Sequence, residues 1–314
     1  MPFYNPIYIF GLNIYFKPVA ILNLENLAAC PICLHKQLAH FLTCKDYTVS
    51  KQTFQLQSCQ NCGFVFTSPR PIATEIGLYY QSEDYISHSN TQKGLLNWLY
   101  HQVRKVTLRA KLNLLEKYLP QKGKLLDNGC GVGAFLNFCL KNQWQAEGIE
   151  PDEKTRILAG KQTKTSIFAK LEELPEESKY DAITMWHVLE HIIDLDEAIN
   201  KMKEILAEKG LLFVALPNRE SKDALYFGKF WAAYDVPRHL WHFRKKDVAN
   251  LFAKHQLTIK AIYPMPFDAY YISMLSTKYQ TGKVNYIKAL WQGFRSNWAG
   301  KKDNTSSLIY VIGR

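Results

Sequence analysis

The segment KLLDNGCGVGAFL, residues 124–136, places Asp127 two positions before Gly129, the first of three alternating glycines with Gly131 and Gly133. Glycines directly behind a short apolar run mark a strand that turns sharply into a helix. Bare backbone N–H groups and the positive end of the helix then meet whatever docks there. Gly129-x-Gly131-x-x-Ala134, with Glu150 roughly twenty residues on for a ribose hydroxyl, satisfies the dinucleotide pattern. The acid at 127 favours another ligand, because a carboxylate repels a phosphate but accepts hydrogen bonds from an ammonium group. A molecule with both an aminoacyl end and a ribose suits Asp127 and Glu150 together, and S-adenosylmethionine is such a molecule.

A second constellation is metal-ligating in type. Cys30-Pro-Ile-Cys33 and Cys59-Gln-Asn-Cys62 are separated by 25 residues. Two thiolate pairs at tight turns can close a tetrahedron around a structural Zn²⁺ with no open position for chemistry. Gly63 suits the turn after the second pair. Cys44 is expected to be a bystander, and His35 and His40 are not expected to be ligands. The chain has seven cysteines, an odd number, which suits reduced thiols and not a disulfide framework.

These residues need a scaffold, and the spacing of apolar residues describes one. Short apolar strands at 124–128, 145–150, 180–185 and 211–216 alternate with helical stretches at about 133–142, 152–161 and 194–208. That alternation predicts a Rossmann-like α/β fold, a parallel sheet with helices on both faces. QLTIKAIYP and SLIYVIGR supply two further strands. A helix is expected over 92–119, ending before Pro120, and a shorter one around Thr74–Tyr80. Insertions at 219–242 and 264–305 follow strand carboxyl ends, where ligands bind in open α/β sheets. The expected organisation is an apolar extension (1–25), a ribbon-like module (26–70) and a large domain (71–314) with core 91–218.

The net charge is +11, and residues 241–314 hold 12 Lys/Arg against 3 Asp/Glu. The apolar N-terminus is interrupted by Pro2, Asn5, Pro6, Asn13, Lys17 and Pro18. It lacks the basic start and cleavage site of a secretory signal, and it spans a bilayer poorly. A cytoplasmic protein without a membrane span is expected.

With the loop in place, the chain resembles the class I S-adenosylmethionine-dependent methyltransferases. The likeness continues through GIEPD (148–152), LEELP (171–175), YDAITMWHVLEHIIDLDEAI (180–199) and LLFVALPN (211–218), and covers about 71–314. The resemblance implies a seven-stranded sheet whose last strand, here 307–313, is antiparallel. It implies cofactor contacts from the 127–133 loop, from Glu150 and from the 184–187 strand end, with Trp186 packing on the cofactor. Many members place an acid before LEELP to hold adenine; here Lys170 stands there, which leaves adenine to the Leu171 backbone and apolar packing. YYQSEDYISH and YDVPRHLWHF are similar to segments of a subgroup that carries an N-terminal cysteine ribbon and includes deoxysugar C-methyltransferases. Quinone-type O-methyltransferases have a similar core.

Methyl transfer to a hydroxyl or carbon acid needs a base, and His187, Glu190 and His191 at the end of the 180–185 strand are candidates. On a helix His187 and His191 would share a face. An alternative makes Glu190 and His191 caps for the following helix. His239, Tyr85 and His88 could also reach an acceptor. The order His-Val-Leu-Glu-His is not the H-E-x-x-H of metalloproteases, so a catalytic metal is not expected. The favoured function is methylation, on O or C, of a small-molecule acceptor such as a sugar or quinone-like compound. The alternatives are a nucleic-acid methyltransferase, suggested by the ribbon and the basic C-terminal quarter, and an NAD-binding oxidoreductase. The former lacks both an Asn/Asp-Pro-Pro-aromatic motif and a Pro-Cys nucleophile.

Overall fold

The computed structural model describes residues 23–80, 95–300 and 303–314. The first 22 residues of the apolar extension, Tyr85 and His88 lie outside them. The strands are β1 (Leu24–Glu25), β2 (Leu38–Lys45), β3 (Thr53–Cys59), β4 (Val65–Thr67), β5 (Arg70–Pro71), β6 (Lys124–Asn128), β7 (Gln145–Ile149), β8 (Ile167–Phe168), β9 (Tyr180–Trp186), β10 (Leu206–Pro217), β11 (Trp241–His242), β12 (Thr258–Pro264) and β13 (Ser307–Gly313). The helices are α1 (Leu95–Tyr118), α2 (Ala134–Lys141), α3 (Glu153–Thr163), α4 (Leu195–Ile205), α5 (Lys222–Phe227), α6 (Lys245–Lys254), α7 (Pro266–Thr281) and α8 (Tyr286–Gly300).

Seven strands form one sheet in the order β12-β13-β10-β9-β6-β7-β8. β13 runs antiparallel to both of its neighbours, as the resemblance implied. The central strands are near-continuous apolar runs because both sheet faces are covered. Successive residues serve opposite faces. Leu126, Ile183, Leu212 and Tyr310 pack in one core with Ile199, Met202 and Phe252. Leu125, Ala182, Phe213 and Val311 pack in another with Leu112, Leu115 and Leu136. Helix α4 buries Leu195, Ala198, Ile199, Met202 and Ile205, one stripe at helical spacing. Its first turn is capped by Asp194, which accepts from the Glu197 N–H at 2.9 Å. The helix stops at Ile205, short of the expected 208, because Leu206 already pairs with Tyr180 in the sheet. Pairing overrides the helical preference of Leu-Ala-Glu-Lys. The expected helix at Thr74–Tyr80 is a 3₁₀ segment, Ile76–Tyr80.

A second sheet, β11-β4-β3-β2, carries Cys59 and Cys62 at its β3–β4 turn, and Cys30 and Cys33 lie at the turn that precedes β2. Its fourth strand comes from far along the chain: Trp241 pairs with Phe66 and His242 with Val65. Pairing therefore crosses the boundary expected at 70/71. Arg219 and Arg244 donate to the carbonyls of Gly63 and Cys62 at 2.6 and 2.7 Å, fastening the second cysteine turn to the large domain.

Arg238 completes the junction. Fully buried, it donates to Asp46 in the β2–β3 loop (3.1 Å), to Asp235 (2.6 and 2.9 Å) and to the Tyr79 carbonyl (3.0 Å). Burial opposes its charge, but the two carboxylates outweigh burial and raise its pKa. Removing one member of such a set strands the buried charges that remain. Arg238→Met is therefore expected to lower the unfolding free energy by about 3–5 kcal/mol, read from the urea midpoint.

Candidate functional site

The site lies at the carboxyl ends of β6, β7 and β9. All three loop glycines have positive φ: +78° at Gly129, +54° at Gly131 and +78° at Gly133. At Gly129 a Cβ would meet Val188 at 2.4 Å, so that glycine serves close packing. At Gly131 a Cβ would meet nothing within 4 Å, so that glycine leaves backbone open to a ligand. The Glu150 carboxylate spans this opening. One oxygen accepts from the Gly131 N–H at 2.9 Å and the other from the Asp152 N–H at 3.0 Å. Burial raises the Glu150 pKa, while those two N–H groups work against the rise.

Asp127 is buried at the end of β6, and Thr184 on β9 donates to it at 2.6 Å. Burial pushes its carboxyl up to about 6. The Thr184 hydrogen bond and the Lys111 charge oppose the shift, and Glu150 adds to it. A buried carboxylate in this state is stabilised by a cation placed against it, such as an ammonium group. Trp186 ends β9, meets Phe135 edge-on at 5.3 Å and keeps its indole N–H buried without a partner among the described residues. Leu171 begins a 3₁₀ turn and packs against the core, while Lys170 before it is exposed.

Lys111 and Asp268 are among the groups that escaped the sequence reading. Lys111 on α1 places Nζ 4.2 Å from the Trp186 ring centroid. Burial pushes its pKa down to about 8 against the charges of Asp127 and Asp268. Its register was the available signal, since it falls between Leu108 and the buried Leu112 and Leu115 on a core-facing stripe. Asp268, on α7, lies 2.9 Å from His187 Nε2, and nothing in the local sequence distinguishes it.

His187 and His191 do not share a helical face as expected. His187 sits just past β9 with φ +59°, and a single 3₁₀ turn, Leu189–His191, follows. The two side chains therefore diverge. His187 Nδ1 is 3.3 Å from Glu190 and its Nε2 is 2.9 Å from Asp268. Burial disfavours the imidazolium, but these two carboxylates outweigh burial and raise the pKa to about 10. His187 thus holds a proton at neutral pH and is poorly suited to accept one.

His191 turns the other way. Its Nδ1 lies 3.0 Å from the Arg238 carbonyl and 2.9 Å from the Tyr80 hydroxyl. A carbonyl only accepts, so Nδ1 carries the hydrogen and Nε2 is the basic nitrogen. His239 Nδ1 likewise meets the Ala233 carbonyl at 2.8 Å. The two rings stand edge to face with centroids 4.6 Å apart. Burial and the nearby His239 push the His191 pKa down to about 4. Glu190 is fully buried and one of its oxygens has no partner among the described residues. One donor atom each from Glu190, His191 and His239 lies within 4.8 Å of the others.

In the ribbon, the thiols of Cys30, Cys33, Cys59 and Cys62 also lie within 4.8 Å of one another. Cys30–Cys62 and Cys33–Cys59 are each 3.5 Å apart. A Zn–S tetrahedron has edges of about 3.8 Å, so the four sulfurs fit one ion.

A family model described as a methyltransferase domain matches residues 99–262, just over half of the chain. The ubiquinone biosynthesis O-methyltransferase of Pelagibacter ubique (strain HTCC1062) is 27% identical over 177 residues, covering 52% of this chain and 72% of that protein. Its counterpart from Nitrosospira multiformis is 24% identical over 196 residues, covering 57% and 80%. The crystal structure of magnesium protoporphyrin IX methyltransferase from Synechocystis PCC 6803 with bound SAH aligns with TM-score 0.51 at 13% identity. It covers 77% of this chain and 100% of that one, a likeness of fold.

Glu150→Ala removes the charged acceptor that spans the opening and frees the Gly131 and Asp152 N–H groups. Affinity for S-adenosylmethionine is expected to fall about 10- to 100-fold by calorimetry, the weight of one or two charge-assisted hydrogen bonds.

Proposed function

Because the chain belongs to the methyltransferase-domain family and is an S-adenosylmethionine-dependent methyltransferase, we propose that it methylates a hydroxyl or carbon acid of a small molecule, sugar or quinone-like, with His191 and His239 handling the proton. The carrying observation is that pair: two imidazoles in contact, each with Nδ1 tied to a backbone carbonyl, with His239 Nε2 4.0 Å from Asp235. The O-methyltransferase relatives support a hydroxyl acceptor. They lend nothing to the nucleic-acid alternative.

S-adenosylmethionine, when bound, supplies a methyl group made electrophilic by its sulfonium. Asp127 would hold its ammonium end and Glu150 its ribose. Gly131 leaves backbone open between them, and Trp186 is assigned to packing on the cofactor. Leu171 is assigned to the adenine side. The opened backbone and the raised Asp127 pKa support this placement. Glu190 and His187 form a charged pair that orients the turn, which leaves proton acceptance to the His191–His239 side. His191 or His239 then accepts the acceptor's proton as the methyl group is transferred.

With its pKa at about 4, His191 remains in the base form throughout the neutral range. The acid limb of log kcat/KM is therefore expected well below pH 6.5, the ordinary imidazole value. His191→Ala should reduce kcat by roughly 10²–10⁴-fold while S-adenosylmethionine still binds. Unchanged turnover in that variant would remove His191 from the mechanism. Glu190, His191 and His239 are also close enough to share a cation. If chelation abolished turnover and a divalent ion restored it, these residues would be assigned to metal binding.

We also assign the four ribbon thiols to one structural Zn²⁺ and the protein to a reducing compartment, the cytoplasm. All seven cysteines are free, which supports the latter. Among the described residues no helix is long and apolar enough to cross a membrane. Purified protein is expected to hold one equivalent of zinc by elemental analysis. Cys59→Ser should lower that content and the melting temperature together.

A further inference from the structure

The helix pair between β12 and β13 is built inside out. The face of α8 turned inward carries Ala289, Gln292, Gly293, Ser296 and Gly300, all buried. Gly293 lies so close to α7 that a Cβ there would meet Tyr270 at 2.5 Å. Small residues bring the helix against its neighbour, and its large apolar side chains point to solvent. Ile287 is 84% exposed, Trp298 75% and Trp291 60%, and Leu290 and Phe294 lie between them at helical spacing. The patch extends to α5, where Leu225 and Tyr226 are exposed. Lys288 Nζ, 5.5 Å from the Tyr226 ring centroid, and a Ser296–Asp223 hydrogen bond of 2.6 Å join the two elements.

Isolated exposed apolar residues are ordinary, but a contiguous aromatic stripe marks an interaction surface. Its surroundings identify the partner. Between Asp268 and Asp303 the chain has six Lys or Arg residues and no acid. A second copy would bring two such basic segments together, whereas an anionic surface is complementary to them. Tryptophan, with an apolar body and a polar N–H, favours the boundary between headgroups and acyl chains. Basic residues beside an apolar helical stripe suit a helix lying in that boundary.

We propose that α8 docks the protein on an anionic lipid bilayer, with Ile287, Leu290, Trp291, Phe294 and Trp298 entering the interface and the flanking Lys and Arg contacting headgroups. Docking stands without the reaction proposed above. If that reaction holds, α7, which packs on α8 and brings Asp268 to His187, places the site beside the bilayer.

The test is flotation of the full chain with vesicles of phosphatidylcholine alone or mixed equally with phosphatidylglycerol. Binding is expected on the mixed vesicles, weaker on the neutral ones and reduced by salt. In Trp291→Ser/Trp298→Ser it should fall on the order of tenfold or more, while melting temperature and S-adenosylmethionine affinity stay as in the parent. Absence of binding to mixed vesicles, or undiminished binding by the variant, would overturn the proposal. So would a parent that is dimeric in solution and a variant that is monomeric, which would make this face a subunit interface. Loss of catalysis without loss of flotation would count against the reaction only.

Discussion

The buried guanidinium of Arg238 is the constraint through which the separate parts of this molecule come to one place. It takes an acid from the β2–β3 loop, an acid from its own insertion and a backbone carbonyl beside Tyr80. Its own carbonyl faces His191, and the next residue is His239. The polar end of the candidate site is thus assembled around one buried charge. Losing any one of these partners would strand buried charge, which couples ribbon, 3₁₀ segment and insertion energetically.

Around that anchor the site divides by charge. On one side the buried Asp127 and the half-buried Glu150 lie against open backbone, and burial works against their ionisation. In the reading proposed above, a cationic, ribose-bearing ligand relieves the first and engages the second. On the other side two histidines with similar sequence neighbours take opposite states. His187 lies between two carboxylates and keeps its proton; His191 lies beside another imidazole and gives its proton up. Sequence spacing assigns both to one role, and the local field separates them.

How much could be read beforehand follows from how local each determinant is. The strand–helix alternation, the glycine loop, Asp127, Glu150 and the cysteine pairs depend on neighbours within a few residues, and they were legible. The antiparallel β13 came from resemblance, since apolar periodicity carries no direction. The divergence of His187 from His191 was hidden because it turns on a positive φ at a residue that ordinarily avoids it. Asp268, Tyr80 and Arg238 reach the site across long separations, and no local pattern distinguishes them. Lys111 stood between these extremes, a cation on an apolar stripe.

The strand borrowed by the N-terminal sheet has a consequence for biosynthesis. Among the described residues, the β4 edge at Val65–Phe66 is closed by Trp241–His242. While the ribosome is still producing the residues in between, Phe64, Phe66 and that edge have no cover from Trp241 and Phe243. An unpaired edge flanked by aromatic side chains invites wrong partners, so the nascent chain passes through a stage in which chaperone protection counts most. The N-terminal sheet is translated well ahead of the strand that seals it.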